Sequence, residues 1–360
     1  MSAAERAERT VAADALCVQA FESVSAPTVG VALVAVGGFG RRELAPFSDL
    51  DVILVIDDEV EVGDWAGALW YPLWDSGTKL DHSVRSFADV VETATADLRV
   101  MLGLLDARHL AGDPNLTLRL RTTILTQWRR DARSRLLELK TLGEGRASLL
   151  GELAHSSVPD LKESVGGLRD ATVLNALVAS WLVDVPHVEV ERSRTALLDV
   201  RDALHDVAGR GTDRVAPEFW PEIAARLGFA DGTDAQRRTR AHARRLRHLS
   251  RLTWSRAEAT VRKPSQNRRP QLETIAPGIA LSHGEVVLDK ATRPTERWLA
   301  LAQCCRSCSR ARADALTGHR GPPRARVPAV AHPVAASCPG VGGATAGRGA
   351  WARSSLGDPR

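Results

Sequence analysis

The stretch that decides the fold is VAVGGFGRRELAPFSDLDVILV, residues 34–55. It predicts an apolar strand, a double-glycine turn, a short basic segment and a second strand that carries Asp49 and Asp51. Side chains two positions apart on a strand point to the same face, so we expect these carboxylates to project together beside the turn. Paired carboxylates next to a glycine turn suit a metal-bound nucleoside triphosphate.

The chemistry of that ligand explains the residue types. Mg²⁺ usually binds one or two carboxylates together with substrate phosphates, so Asp49 and Asp51 are the candidate metal ligands. Glycines let a backbone turn sharply and approach a phosphate closely. A helix opening at 41–44 would direct its first N–H groups at an anion. The candidate phosphate contacts are therefore Gly37, Gly38, Arg41, Arg42 and Ser48.

Other glycine fingerprints do not fit this stretch. Gly38 and Gly40 match the start of the dinucleotide-binding pattern, but Glu43 stands where its third glycine belongs, and no P-loop pattern occurs. The remaining structural alternative is a tight hairpin with two solvated aspartates on an edge strand. It is disfavoured because Asp51 lies within the apolar run 50–56, where an unpaired carboxylate is costly.

Four further stretches extend the pattern, and together they resemble a known family. They are LWDSGTKLDHSVRS (73–86), LLDARHLAGD (104–113), PDLKESVGGLRD (159–170) and a helical series from Leu204 to Gly228. With 34–55, they resemble the nucleotidyltransferase superfamily of DNA polymerase β type. More closely, they resemble the bacterial PII uridylyltransferase family, over about residues 30 to 300. The resemblance implies Mg²⁺-dependent transfer of UMP from UTP, or AMP from ATP, to a tyrosine of the PII nitrogen-regulatory protein.

The resemblance also implies a third carboxylate, which acts as a base toward the incoming hydroxyl. Asp81, in a strand predicted over 78–85, is the candidate catalytic residue, with Asp75 and Asp97 as alternatives. The structural alternative is that Asp81 is a turn or surface carboxylate.

Two basic residues of the 159–170 stretch, Lys162 and Arg169, are candidate contacts with the triphosphate or the partner protein. The simpler interpretation of that stretch is a helix entry with Asp170 as the N-cap. The resemblance further brings His82 and Arg85 near the site, without a proton-transfer role.

Composition limits the partners and the compartment. The chain has 360 residues, 44% of them hydrophobic, and a formal net charge of +4. Nearly all its basic residues are arginine, which indicates codon bias rather than a nucleic-acid surface. No apolar run reaches the roughly 18 residues of a membrane span, and the N-terminus has no signal-peptide pattern. We therefore expect a cytoplasmic protein with no nucleic-acid or membrane partner.

Hydrophobic periodicity predicts an α+β fold with a small mixed sheet. Helices are predicted over 10–24, 59–73 and 98–110, and a short hairpin over 279–288. The tail composition predicts disorder, and its closely spaced cysteines do not form a metal pattern. The predicted divisions are a nucleotidyltransferase domain (1–115), a mainly helical domain (116–265), a linker with a short β segment (266–300) and a disordered tail (301–360). The tail is either translated out of frame or a natural low-complexity sequence.

Three functional hypotheses follow. The leading one is nucleotidyl transfer to PII, with UTP against ATP open because nothing in the sequence reads the base. A glutamine-synthetase adenylyltransferase is a second enzyme hypothesis, which the 159–170 signature disfavours. The hypothesis of another class is an inactive or binding-only truncated fragment that lacks the HD hydrolase and ACT domains of full-length family members.

Overall fold

The computed structural model describes residues 3–261 and the backbone of three short strands further along the chain. The chain divides into two units, Met1–Lys263 and Pro264–Arg360. The predicted α+β class is confirmed, since the first unit combines a mixed sheet with a large helical part. The predicted boundary at residue 115 lies inside the first unit and stays a prediction. The predicted tail at 301–360, with its cysteines, lies outside the described residues.

A four-stranded mixed sheet forms the N-terminal part of the first unit. Its strands are β1 (Val31–Ala35), β2 (Leu50–Ile56), β3 (Leu80–Ser86) and β4 (Arg108–Gly112). Their order is β3-β2-β1-β4, with β1 antiparallel to both of its neighbours and β2 parallel to β3. Every residue of β1 is buried, as expected for a central strand covered on both faces. The parallel register sets Asp51 directly opposite Asp81.

Helices cover the sheet and then continue into a helical layer. Those around the sheet are α1 (Ala3–Glu22), α2 (Gly37–Gly40), α3 (Trp65–Ala68), α4 (Tyr71–Asp75), α5 (Phe87–Ala96) and α6 (Leu98–Leu104). The helical layer contains α7 (Pro114–Leu150), α8 (Leu168–Ala179), α9 (His187–Ala208), α10 (Trp220–Leu227) and α11 (Gly232–Val261). Within residues 3–261, no helix is long and apolar enough to cross a membrane.

The long helix α7 joins the sheet to the helical layer. It begins at the N-cap Asp113, whose side chain accepts hydrogen bonds from the N–H groups of Asn115 and Leu116. Apolar residues at four-residue spacing then form its buried stripe: Leu116, Leu120, Ile124 and Trp128. Trp128 Nε1 donates to the carbonyl of Ala176 in α8 over 2.8 Å. This helix therefore connects the sheet to the helical layer.

Two predicted helices were wrong in extent. The segment predicted as one helix over 59–73 contains two short helices, α3 and α4, with a turn at 69–70 between them. Pro72, near the start of α4, has no N–H with which to continue the hydrogen bonding of α3. The helix predicted over 98–110 ends at Leu104, and its last residues belong to β4. That strand pairs with the edge of β1, so tertiary pairing outweighs local helical spacing there.

The predicted N-cap of α8 was also wrong. Gly167 is the N-cap, and Asp170 lies in the first turn of the helix. The Asp170 carboxylate accepts the N–H of Gly166 over 2.7 Å. It thus stabilises the helix entry from inside the first turn.

In the second unit, three strands form an antiparallel sheet in the order β5-β6-β7. They are β5 (Glu273–Ala276), β6 (Ile279–Ser282) and β7 (Glu285–Leu288). The hairpin predicted over 279–288 is confirmed by the pairing of β6 with β7. β5 also lies within 266–300, the division predicted as a linker with a short β segment.

Candidate active site

A cleft of about 830 Å³ lies between the start of β2 and the helical layer. This volume is in the range of small-molecule binding sites. Eight of the predicted site residues line it: Gly37, Gly38, Arg41, Ser48, Asp49, Asp51, Lys162 and Arg169. The exposed Arg42 does not line it. Asp81 lies beside the cleft, opposite Asp51 on the neighbouring strand.

The glycine turn lies against the Asp51 carboxylate. Gly37 has a φ of +55°, and a Cβ atom added there would lie 3.2 Å from Asp51 Oδ2, so both its conformation and its surroundings favour glycine. Gly38 would accept a Cβ atom with no contact within 4 Å. The helix predicted to open at 41–44 was wrong. A short helix instead begins at Gly37, so the two arginines follow it.

Three carboxylates share this end of the sheet. Asp49 precedes β2 and is exposed, Asp51 is half-buried inside β2, and Asp81 is exposed on β3. Burial raises the pKa of Asp51, and the charges of Asp81 and Asp49 raise it further, while Lys162 and Arg41 oppose the shift. A cation at this place would relieve both the repulsion and the cost of burial.

The donor set fits Mg²⁺ only in company with a phosphate. Among residues 3–261, no group of three acidic, histidine or cysteine side chains is arranged to bind a metal ion. Mg²⁺ is often bound by one or two carboxylates and completed by substrate phosphates and water. Asp49 and Asp51 meet that requirement, because both line the cleft together with basic residues.

The two alternative third carboxylates lie elsewhere. Asp97 is the N-cap of α6 and accepts the N–H of Arg99 over 2.7 Å. Asp75 is exposed at the end of α4 and does not line the cleft. His82 lies on the opposite face of β3 from Asp81 and packs against Trp70, with ring centroids 4.4 Å apart and the rings tilted by 45°. The geometry therefore favours Asp81 over both alternatives.

Arg41 holds the turn as well as lining the cleft. Its Nε lies 2.7 Å from Glu43, and its Nη1 lies 2.5 Å from Asp106. Glu43 is buried and also pairs with Arg194 of α9. Burial and the charges of Arg41 and Arg6 lower the pKa of Arg194 to about 10. The Arg41 charge is thus largely matched by carboxylates of the chain itself.

The second wall of the cleft is the 159–170 stretch. Its first residues pair with the segment after α9, since Leu161 N–H donates to Asp213 O over 2.8 Å and Val215 N–H donates to Pro159 O over 2.9 Å. This pairing places Lys162 close enough to Asp51 to lower its pKa. Arg169 instead forms an ion pair with Glu163 at 2.6 Å.

Sequence reasoning missed several cleft residues of the helical layer. Arg146, Arg201, His205 and Asp213 all line the cleft. Arg201 Nη1 donates to Ser48 Oγ over 3.4 Å, although the two residues are 153 positions apart. No local signal in the sequence points to such contacts. The resemblance covered His205 and Asp213 as part of a helical series but gave them no role.

Comparison with known proteins agrees with this architecture. Residues 138–254 match the family model described as GlnD PII-uridylyltransferase. Over these residues the chain is similar to the GlnD PII-uridylyltransferase domain. The predicted resemblance to this family is therefore confirmed, and the matched residues include those of the helical wall.

Three curated relatives are each named bifunctional uridylyltransferase/uridylyl-removing enzyme. The one from Streptomyces coelicolor is 44% identical over 292 residues, which cover 76% of this chain and 35% of the relative. The one from Mycobacterium tuberculosis H37Rv is 39% identical over 285 residues, covering 74% and 34%. The one from Corynebacterium glutamicum is 37% identical over 202 residues, covering 56% and 29%. The chain thus spans about a third of the length of the curated relatives it matches.

Proposed function

We propose that the chain transfers a nucleoside monophosphate, UMP or AMP, from a nucleoside triphosphate to a hydroxyl group of the PII protein. The observation that carries this proposal is the placement of Asp51. It lies beside the Gly37 turn, opposite Asp81 and within electrostatic reach of Lys162, in one cleft. The names of the relatives support uridylyl transfer, and hence UTP as the first nucleotide to test.

The proposed roles follow from the chemistry of each side chain. Mg²⁺ held by Asp49 and Asp51 supplies neutralisation of the triphosphate charge. Lys162 and the backbone N–H groups at Gly37 and Gly38 orient the phosphates. Catalysis then depends on positioning and fixed charges, as is usual for phosphoryl transfer.

In the transfer step, Asp81 accepts the proton of the acceptor hydroxyl. The acceptor oxygen forms a bond to the α-phosphorus, and the bond from that phosphorus to the bridging oxygen breaks, so pyrophosphate leaves. Asp81 is suited to this role because it is exposed on the outermost strand of the sheet. A macromolecular hydroxyl can approach it there.

The test offers the purified chain its organism's PII protein, Mg²⁺ and labelled UTP or ATP in parallel reactions. We expect label on PII from one of the two nucleotides, and loss of transfer in Asp49→Asn and Asp51→Asn. The matched control, Asp75→Asn, should keep full activity because this residue lies outside the cleft. Transfer from neither nucleotide by the folded wild-type chain, or unchanged transfer by the Asp51 variant, would refute the proposal.

A binding-only or inactive chain is the alternative to a catalytic one. A melting experiment with Mg²⁺ and nucleotide, combined with the transfer assay, distinguishes these alternatives. A ligand that binds only the folded state raises the melting midpoint. A raised midpoint without transfer to PII would favour the binding-only product, and an unchanged midpoint would favour the inactive one.

A further inference from the structure

Arg201 of α9 connects the two walls of the cleft. Its side chain is 12% exposed, with Nε 2.5 Å from Asp213 Oδ1 and Nη1 3.4 Å from Ser48 Oγ. A guanidinium has five N–H donors. Among the described residues, these two contacts use one donor at Nε and one at Nη1, so Arg201 retains donors for an anion in the cleft.

Asp213 holds Arg201 in this orientation. Its backbone is fixed by the N–H of Leu161 at 2.8 Å. Burial acts to raise the pKa of Asp213, but the His205 ring, whose Nε2 lies 3.8 Å from Oδ1, the hydrogen bond from Arg201 and the charges of Arg201 and Lys162 outweigh it and hold the pKa far below its usual range. The carboxylate is therefore a permanent anion that orients one face of the guanidinium. By accepting the Nε–H, the carboxylate leaves the other N–H groups of Arg201 free to bind an anion.

The loop before β2 is shaped by the same contacts. Ser48 Oγ accepts the N–H of Ala45 at 3.0 Å as well as that of Arg201. A hydroxyl oxygen has two lone pairs. Because both are engaged, the Ser48 hydroxyl offers its proton to a further acceptor. Close by, the Phe47 N–H donates to His205 Nδ1 over 3.4 Å. Helix α9 thus anchors the loop that carries Asp49.

We propose that Arg201 is a further triphosphate-binding residue of this site, oriented by Asp213 and acting together with the Ser48 hydroxyl. The proposal rests on the proposed nucleotidyl transfer. Arg201 contacts Ser48, which comes one residue before the proposed metal ligand Asp49. A cation and a hydroxyl donor at this place are complementary to a phosphate that the same metal ion would contact. Arg201 binds that phosphate from the helical wall, while the glycine turn binds from the sheet.

The experiment compares Arg201→Gln with the wild-type chain, using Mg-UTP and, separately, inorganic tripolyphosphate as probes in calorimetric titrations. Hydrogen bonds to charged groups contribute roughly 1.5–3 kcal/mol, so we expect affinity for both probes to fall by about 10-fold to 100-fold. The matched control is Arg226→Gln. Arg226 of α10 pairs with Asp206 of α9 at 3.5 Å, outside the cleft. That variant should bind both probes as the wild type does.

A second variant separates phosphate binding from folding, because Arg201→Gln leaves the Asp213 carboxylate without its main partner. The double variant Arg201→Gln/Asp213→Asn removes both charges; Asn keeps the shape of Asp, and Gln leaves a shorter polar side chain at position 201. We expect it to melt near the wild-type midpoint and still to bind tripolyphosphate as weakly as the single variant.

Restored affinity in the double variant would show a purely structural role and overturn the proposal. Unchanged affinity in Arg201→Gln would overturn it as well, while leaving the proposed function intact. If the wild-type chain binds neither probe, the proposed function itself fails.

Discussion

Replacing Asp51 by Asn should make the metal-free chain more stable while removing its response to Mg²⁺. Side chains of neighbouring strands lie about 5 Å apart, so two carboxylates there repel each other by about 1 kcal/mol in water and about 3 kcal/mol at an effective dielectric constant of about 20. Asp81 and Asp49 are both exposed, which favours the lower figure. We expect the variant to gain about 1 kcal/mol, or about 2–4 °C in melting midpoint.

The direction agrees with the titration of Asp51. Burial and the neighbouring carboxylates raise its pKa in the folded chain. The folded state therefore binds this proton more tightly than the unfolded state does. Ionisation of Asp51 weakens the folded state as the pH rises from the ordinary aspartate range toward the raised value. An amide, which cannot ionise, avoids that loss at neutral pH.

Differential scanning calorimetry with and without millimolar Mg²⁺ and UTP measures both effects. The wild-type midpoint should rise with the ligands, and that of Asp51→Asn should stay constant. Asp75→Asn, an exposed aspartate outside the cleft, should show the wild-type behaviour in both conditions. A variant at Asp51 that melts below the wild type without ligand, or that keeps the full ligand-dependent rise, would refute the reasoning.

Three further changes test the scaffold by urea denaturation. Gly37→Ala should cost about 1–3 kcal/mol because of its left-handed backbone and close carboxylate, whereas Gly38→Ala, with open space around its Cα, should show no such penalty. Asp113→Ala should cost about 1 kcal/mol at neutral pH through loss of the α7 N-cap. Backbone hydrogen bonds lower the pKa of that carboxylate, so the difference should disappear as the pH falls below the ordinary aspartate value and through the lowered one. Arg6→Leu should cost about 2 kcal/mol, because it removes one of two arginines from the 1% exposed side chain of Asp202; a loss under about 0.5 kcal/mol would contradict this.

The local pattern of apolar residues was sufficient to predict the strands at the centre of the sheet. Strand β1 coincides with the apolar segment before the glycine turn and β2 with the apolar run 50–56, because continuous apolar residues mark both. Strand β3 lies within two residues of its predicted bounds, 78–85. Strand β4 carries Arg108 and His109 and is only partly buried, so its identity comes from pairing with β1 and not from its own composition.

The residues of the candidate site also form two groups: those that local sequence predicts and those that only the fold brings together. The turn and the carboxylates of 34–55 are close in sequence, so their spacing alone predicts that they meet. The cations opposite them come from residues far along the chain, and their placement depends on how α7 and α9 pack. Such placement is a property of the folded helical layer, and no local pattern contains it.

The backbone pairing of 159–161 with 213–215 limits how short a functional fragment of this chain can be. A fragment cut after residue 115 keeps the carboxylates of β2 but discards the lysine that faces them. A fragment cut before Val215 removes the strand-like partner that supports this lysine. A fragment that ends at Val215 keeps this pairing but loses α10 and α11, whose residues Trp220, Ile223 and Leu246 belong to the same buried cluster as Leu161. The sheet transplanted alone should therefore keep the carboxylates but lack the lysine that helps to bind a polyanion.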